Sequence, residues 1–352
     1  MANKYALLVG CNYPNTKNEL QGCINDVTRM RRTLLRRFGF AERNISLMID
    51  TDSAYTQPTG DNIRRALIAM VDKAKPGDVL LLHYSGHGTF IPAKKPHRRP
   101  GHTHDECIVP CDFNLLTDED FRGIVNKVPK GATFTMLCDS CNSGGLIDKE
   151  KEQIGPHAPP AAAITRKRRR SERAGKSKFI PVESFVEILK EKTGNSQLEV
   201  GDIRSALFYL FGGDASSNVK RHVKYMLDHK KNGESGAYNQ LLMSKAKKDG
   251  GWLMQALVSE EEESVDGDMG ILLSGCQSDE TSADANPRGK ARGAYGAFSN
   301  GVERVLATHR KAISNKELVL RTRKLLEEAA YTQHPCLYCS DVNAEVAFLC
   351  QV

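Results

Sequence analysis

Short apolar runs alternate with helix-spaced apolar positions along the first 150 residues. The runs that predict strands are Tyr5–Cys11, Asn44–Ile49, Asp78–Tyr84, Glu106–Pro110 and Thr133–Cys138. The segments that predict helices are Asp26–Phe38, Asn62–Lys73 and Asp118–Lys127. Nearly continuous apolar strands separated by amphipathic helices are typical of a mostly parallel sheet with helices on both faces. Residues 1–150 are therefore predicted to form the large region of an α/β fold.

The pattern changes after residue 150. Residues 156–163 are rich in proline and alanine, and Arg166–Lys178 holds eight basic residues against one acidic residue, Glu172. This composition predicts a solvated linker. Residues 181–248 have the spacing of short amphipathic helices with many lysines, and 260–268 form an acidic loop. Residues 151–250 are thus predicted to be a long insert, partly helical and partly disordered.

The last hundred residues return to an ordered pattern. Met269–Leu273 predicts a strand, Phe298–His309 and Lys316–Ala329 predict helices, and the apolar end near Val346–Cys350 predicts a final strand. Residues 251–352 are therefore expected to form a smaller region that completes the sheet begun by residues 1–150.

Composition narrows the class of protein only moderately. The chain has 352 residues, a formal net charge of +7 and 40% hydrophobic residues, which fits a globular protein better than a dedicated nucleic-acid binder. No apolar run reaches the roughly 18 residues that span a bilayer, and the first residues predict a strand, not a signal peptide. We therefore expect no membrane partner, a cytoplasmic location and reduced cysteines. The basic run Arg166–Arg170 could add nuclear access, although a solvated linker is the simpler interpretation.

Two strand ends carry residues suited to nucleophilic catalysis. The strand ending at Tyr84 leads into Ser-Gly-His-Gly with His87, and the strand ending at Cys138 leads into Asp-Ser-Cys with Cys141. Reactive groups gather beyond the carboxyl ends of parallel strands, so neighbouring strands would bring the imidazole and the thiol together. Such a pair suits acyl transfer, with backbone N–H groups after His87 and at Cys141 binding the oxyanion.

The motifs around these two residues resemble those of the caspase-fold cysteine peptidases. They are LLHYSGHGT around His87 and DSCNSGG around Cys141. The segments YALLVGCNY, QGCIND, IVPCDFN and LLSGCQSDETSADA are similar to those of type II metacaspases of plants and green algae. The resemblance covers residues 1–150 and 250–352 well and the insert weakly. One departure is Asn142, where family members usually carry histidine.

The resemblance implies a set of roles. Cys141 would be the nucleophile and His87 the general base and acid, in an endopeptidase that cleaves proteins and peptides after arginine or lysine and acts in programmed cell death. The matching substrate-binding positions are Asp26, Asp139, Ser85 and Gly88. Carboxylates suit a basic side chain, although Asp26 is equally explained as a first-turn residue of a helix.

The resemblance also implies control by calcium and by self-cleavage. The family's acidic positions match Asp105, Asp118, Glu119, Asp120 and Asp148. The acidic run 118–120 is also what a helix N-terminus favours. The insert would act as a tethered inhibitor that the enzyme cuts after Lys224, although a lysine on a solvated helix is the alternative. We expect a monomer with no organic cofactor.

Two other functions remain open at this point. One is a catalytically weak caspase-fold scaffold that binds partners through the basic insert. The other is a cysteine-dependent acyltransferase or hydrolase of small molecules. The presence of both His87 and Cys141 argues against the scaffold, and the carboxylates Asp26 and Asp139 argue against a small-molecule substrate.

Overall fold

The computed structural model describes residues 2–94, 103–141, 146, 151–155, 175–228, 242, 270–277, 280–287 and 289–350. Its centre is a seven-stranded sheet. Across the sheet the strands are β2 (Ile45–Ile49), β1 (Lys4–Gly10), β3 (Val79–Ser85), β7 (Thr133–Asp139), β10 (Gly270–Ser274), β13 (Cys336–Tyr338) and β8 (Glu152–Ile154). The first five strands are parallel, and β13 pairs antiparallel with both β10 and β8, which confirms the predicted mostly parallel sheet.

Helices cover both faces of this sheet. The described part of the chain contains α1 (Cys23–Arg37), α2 (Gly60–Lys73), α3 (Asp118–Val125), α4 (Val182–Thr193), α5 (Ile203–Phe211), α6 (Ser217–Asp228), α7 (Ala297–Thr308), α8 (Asn315–Glu328) and α9 (Asp341–Glu345). Helices α1, α7 and α8 contribute to one buried apolar cluster, and α2 to α6 contribute to the other. Alternate residues of β3 enter opposite clusters, Leu81 on one side and Leu82 on the other.

The insert contributes to the core through three helices, which lie where short amphipathic helices were predicted. Phe185 of α4, Leu207 of α5 and Val219 of α6 are fully buried in the same cluster as α2 and α3. The predicted linker extended to Lys178, but the side chain of Lys178 is wholly buried. The buried ammonium group of Lys178 is compensated by the carboxylates of Asp26 and Asp139, which lie beside it.

The predicted final strand near Val346–Cys350 is wrong. This segment follows α9 as a turn, with only an isolated bridge from Ala347 to Ser314. The strand lies earlier, at Cys336–Tyr338, where it pairs with both β10 and β8. Phe348 and Leu349 are nevertheless buried. Their apolar character therefore reflects packing beneath α1 and α8, not a place in the sheet.

Two small sheets lie beside the carboxyl edge of the central one. The first contains β4 (Gly88–Pro92), β5 (His104–Ile108) and β6 (Leu116–Thr117), all antiparallel. The second contains β12 (Tyr295–Gly296), β11 (Ala283–Ala285) and β9 (Lys176–Ser177). Strand β9 comes from the insert, so the second small sheet joins the insert to the C-terminal region. Among the described helices, none has the length and apolar character needed to cross a membrane.

Candidate active site

The register of β3 and β7 brings the two predicted catalytic loops together. These neighbouring strands are parallel, and their last residues, Ser85 and Asp139, are paired. His87 and Cys141 each follow two residues later in the chain. A side chain at Gly88 would collide with the carbonyl oxygen of Cys141. The absence of a side chain therefore lets the histidine loop approach the cysteine loop closely.

Cys141 and Cys138 occupy different environments although both are fully buried. The Cys141 sulfur accepts a hydrogen bond from the N–H of Ser282 at 2.9 Å. Cys138 lies on β7 within the apolar core, and its sulfur contacts Ser140 Oγ at 3.1 Å. Cys138 therefore lies one residue before the end of β7, close to the predicted strand end, and packs in the core. The arrangement places Cys141, and not Cys138, in the loop beside His87.

His87 is held by its backbone as well as by its ring. Its N–H donates to Tyr13 Oη at 2.9 Å, and its carbonyl accepts from Tyr84 Oη at 2.7 Å. Ring atom Nε2 lies 2.7 Å from the carbonyl oxygen of Asn18. Burial lowers the pKa of His87 to about 4, with backbone contacts at Asn18 and Lys178 acting in the opposite direction. The imidazole is therefore neutral near pH 7, the form that a general base requires.

A closed pocket beside these two residues contains a lysine side chain. The Nζ of Lys178 lies 3.1 Å from Asp139 Oδ1 and donates to Ser85 Oγ at 2.9 Å and to the Asp139 carbonyl at 3.1 Å. Ser85 Oγ in turn donates to Asp26 Oδ2 at 2.8 Å. Asp26 Oδ2 is 3.7 Å from the ammonium. The ammonium therefore donates two hydrogen bonds inside the pocket and forms ion pairs with the carboxylates of Asp139 and Asp26.

The predicted substrate-binding residues thus lie together. Asp26 occupies the first turn of α1, but its carboxylate accepts from the N–H of Gly296 at 2.9 and 3.0 Å and does not cap the helix. Asp139 Oδ2 accepts from the N–H of Ser299 at 2.7 Å. These contacts favour the pocket interpretation of Asp26 over the helix-end alternative. Backbone N–H donors therefore hold both carboxylates in place beside the Lys178 ammonium.

The backbone around Lys178 is bound like an extended substrate. Its N–H donates to the Ser282 carbonyl at 2.9 Å, and its carbonyl accepts from the N–H of Gly88 at 2.9 Å. On the other side of the Lys178–Phe179 peptide bond, Ile180 N–H donates to the Gly88 carbonyl at 3.0 Å. Gly88 N–H is the donor predicted for an oxyanion. The Lys178 carbonyl therefore lies where a scissile carbonyl would be polarised.

Burial and charge act against each other in this pocket. Burial raises the pKa of Asp26 to about 8, while the Lys178 ammonium acts in the opposite direction. Burial disfavours the charged form of Lys178, but the carboxylate of Asp139 foremost outweighs it and raises the pKa of Lys178 above its ordinary value. The lysine therefore stays charged, and Asp139 is its principal partner.

Sequence reasoning missed three contributors to this site. They are Lys178, Gly296 and Ser282. Any side chain at Gly296 would enter the space between Asp26 and Asp139. Ser282 contacts both Cys141 and Lys178. A weak signal existed for the first, since Lys178 is followed at once by the apolar residues Phe-Ile-Pro-Val. Gly296 and Ser282 reach the pocket only through contacts with residues far away in sequence, so no local pattern indicates their role.

Lys224, the predicted cleavage site, lies elsewhere. It is an exposed residue within α6, whereas the lysine inside the pocket is Lys178. An exposed position in the middle of a helix does not offer the extended backbone that the Lys178 segment has. The predicted positions Asn142, Asp148 and Arg166–Arg170 fall outside the described residues.

Three of the five predicted calcium ligands are engaged with other groups of the protein. Asp105 pairs with Arg204 of α5, and Glu119 pairs with Arg122. Asp120 caps its own helix at Thr117 and accepts from Asn218 N–H. No group of three or more potential metal ligands occurs among the residues described. The arrangement therefore does not fit a preformed calcium site in this part of the chain, and calcium binding stays a prediction.

A second buried histidine gives a testable dependence of stability on pH. Burial lowers the pKa of His83 to about 3, and its Nε2 lies 3.0 Å from Ser299 Oγ. A histidine in an unfolded chain titrates at about 6.5. Between these pH values the unfolded chain binds a proton that the folded chain does not. The stability associated with His83 is thus complete above about pH 6.5 and is lost as pH falls towards the folded pKa.

We expect His83→Gln, which keeps a neutral hydrogen-bonding side chain, to remove the share of this pH dependence due to His83. That share is up to about 1.4 kcal/mol per pH unit. Urea unfolding of both chains at about pH 7 and about pH 5 measures it, with Cys141→Ala included in both to prevent cleavage. An equal loss of stability in the two chains would contradict the assignment.

The chain is similar in sequence and in fold to known proteins. The caspase domain, as a sequence family, matches residues 3–347. The chain is 42% identical to Metacaspase-4 of Arabidopsis thaliana, with 99% of this chain and 100% of that protein covered. It is 45% identical to Metacaspase-9 of the same plant, with 99% and 97% covered. A crystal structure of a Geobacter sulfurreducens protein shares the fold, with a TM-score of 0.56 at 17% identity and 99% of each chain covered.

Proposed function

The chain belongs to the caspase-domain family, among the metacaspases, and from that premise we propose that it is a lysine- and arginine-specific endopeptidase made as a self-inhibited zymogen. Membership of the family makes it a cysteine-type peptidase. The finer proposal rests on one observation, which is Lys178 bound in the pocket of Asp26 and Asp139 with its carbonyl on Gly88 N–H. The insert is then the first substrate of its own active site.

In the reaction that we propose, Cys141 is the nucleophile and His87 is the base and acid. The neutral imidazole takes the thiol proton, and the thiolate attacks the Lys178 carbonyl carbon. Negative charge develops on the oxygen that already accepts from Gly88 N–H. The C–N bond to Phe179 breaks as the imidazolium protonates the leaving nitrogen. That step releases Phe179 as a new amino terminus, and water, deprotonated by the imidazole, then hydrolyses the thioester, which frees Lys178 as a carboxylate and restores the thiol.

Before cleavage, the same contacts make the insert an inhibitor. The pocket is filled, and the segment is tethered at a high effective concentration that an external peptide does not match. Strand β9 extends this occupancy, since Lys176 pairs with Asp284 of β11 and its Nζ donates to the Glu19 carbonyl at 2.8 Å. Cleavage after Lys178 would let the preceding segment leave and would open the pocket to external substrates.

Replacing Lys178 tests this proposal. We expect Lys178→Gln to slow cleavage of the Lys178–Phe179 bond by at least about a hundredfold, because breaking a buried charge pair costs several kcal/mol. Amino-terminal sequencing of the fragments over time measures the effect. The wild-type chain should give a new terminus that begins Phe-Ile-Pro.

The matched controls are Lys178→Arg and Lys224→Gln. The first keeps a positive charge for Asp139 and should still be cut, and the second changes the exposed lysine of α6 and should not affect the Phe179 terminus. If Lys224→Gln removed self-cleavage while Lys178→Gln preserved it, the original assignment to Lys224 would be restored.

Calcium activation is a separate proposal, supported by the resemblance of the acidic positions alone. The same time course with calcium and with a chelator tests it. Equal cleavage in both would contradict it without affecting the roles of Cys141 and Lys178. A chain that cuts neither itself nor a lysyl or arginyl peptide under any of these conditions would favour the catalytically weak scaffold.

A further inference from the structure

The chain that follows Lys178 is also bound in an ordered way. Phe179 forms a bridge with Gly88 at the start of β4, and Ile180 N–H donates to the Gly88 carbonyl at 3.0 Å. The carbonyl of Ile180 accepts from Thr89 Oγ1 at 2.7 Å. Two backbone groups beyond the proposed cleavage point are therefore fixed by β4. The site consequently has a binding surface on the far side of that bond as well as the lysine pocket.

The side chains of this surface are aromatic rings that pack against one another. The ring of Phe179 stacks on the ring of Phe90, with centroids 5.6 Å apart and planes inclined by 24°. On Phe90, the ring of His104 packs edge-on at 4.7 Å. Phe90 is half-buried and is carried by β4, two residues after Gly88. The strand that donates to the scissile carbonyl thus also presents an aromatic face to the next residue.

We propose that Phe90 forms a subsite for the residue that follows the cleaved bond and that this subsite takes an aromatic side chain. The inference rests on the proposed function and narrows its substrate class to peptides in which lysine or arginine precedes an aromatic residue. Gly88 and Thr89 hold the backbone of such a substrate, as they hold Ile180. Phe90 then supplies the selective contact, as it does for Phe179.

The position of Phe179 supports a recognition role over a purely structural one. Ile180 and Phe185 are buried in the core, where they anchor the segment that follows Lys178. Phe179 is only half-buried, and its stacking partner lies on β4 outside the central sheet. Side-chain contact between Phe179 and Phe90 therefore adds binding at the cleavage point more than it adds to core packing.

Internally quenched peptides that differ only after the lysine test the subsite. Phenylalanine, alanine and aspartate are compared at that position with the full-length, freshly reduced enzyme. We expect the phenylalanine peptide to have a kcat/KM about three to ten times that of the alanine peptide. In Phe90→Ala this ratio should fall to about one through loss of the phenylalanine peptide alone, while Phe90→Tyr should restore the preference.

Two further variants complete the design. Tyr55→Ala removes an exposed aromatic residue in the loop that follows β2 and should leave all three rates unchanged. Phe179→Ala should slow self-cleavage after Lys178 by the same factor, which gives a readout even if Phe90→Ala folds poorly. Equal rates for the three peptides, or a preference that survives Phe90→Ala, would overturn the subsite and leave the peptidase intact. A wild-type enzyme that cleaves none of the peptides would overturn both.

Discussion

Cys141→Ala should lower both self-cleavage and peptide hydrolysis by at least about ten-thousandfold. The variant removes the only proposed nucleophile, and the remaining groups can bind substrate but cannot form the thioester. His87→Ala should cause a similar loss, because the thiol then lacks its base. The double variant should be no worse than either single variant, since the two residues act as one unit. Initial rates with a lysyl peptide measure all three.

Cys138→Ala is the matched control for Cys141→Ala. Both thiols are fully buried and lie three residues apart, but Cys138 contributes to the apolar core on β7. We expect its replacement to cost about 1 kcal/mol of stability through the small cavity it leaves, with activity within a few-fold of wild type. An inactive Cys138→Ala beside an active Cys141→Ala would transfer the catalytic role to the other cysteine.

Much of the fold was predictable because its strands are buried on both faces. All seven residues of β3 and of β7 are buried, and such runs are visible as continuous apolar stretches. Parallel strands end at one edge, so the neighbouring positions of His87 and Cys141 followed from their places in the chain. Ser85 and Asp139 are paired at the ends of these two strands, so the same argument places these two pocket residues side by side.

The wrong final strand and the missed Lys178 have different physical causes. A short apolar run such as 346–350 predicts burial but not the hydrogen bonds that burial involves, and here the backbone forms a turn. Lys178 lies in a basic segment whose composition is that of a solvated linker. Its burial depends on Asp139 and Asp26, which are far away in sequence, so no local pattern records it. Only the apolar residues immediately after Lys178 indicated where the linker ends.

Asp139→Asn should remove recognition of basic residues more completely than any other pocket variant. Asp139 is wholly buried, its Oδ1 lies 3.1 Å from the Lys178 ammonium, and its Oδ2 accepts from Ser299 N–H. An amide has the same shape but no charge, so a lysine or arginine would enter the pocket with Asp26 as its remaining partner. We expect kcat/KM for basic peptides to fall by about a thousandfold, which corresponds to about 4 kcal/mol. Asp26→Asn should have a smaller effect, since its Oδ2 is 3.7 Å from the ammonium.

The same variant should also destabilise the uncut chain, and a double-mutant cycle can isolate the cause. In the Cys141→Ala background, which stays uncut, Asp139→Asn leaves the buried ammonium of Lys178 poorly compensated and should cost about 3–5 kcal/mol of unfolding free energy. Adding Lys178→Gln makes the pair neutral and should restore most of this loss, because two neutral amides can share a hydrogen bond. Urea unfolding of the four chains measures the coupling. Purely additive losses would show that Lys178 does not depend on Asp139, and the pocket would then need another explanation for its buried lysine.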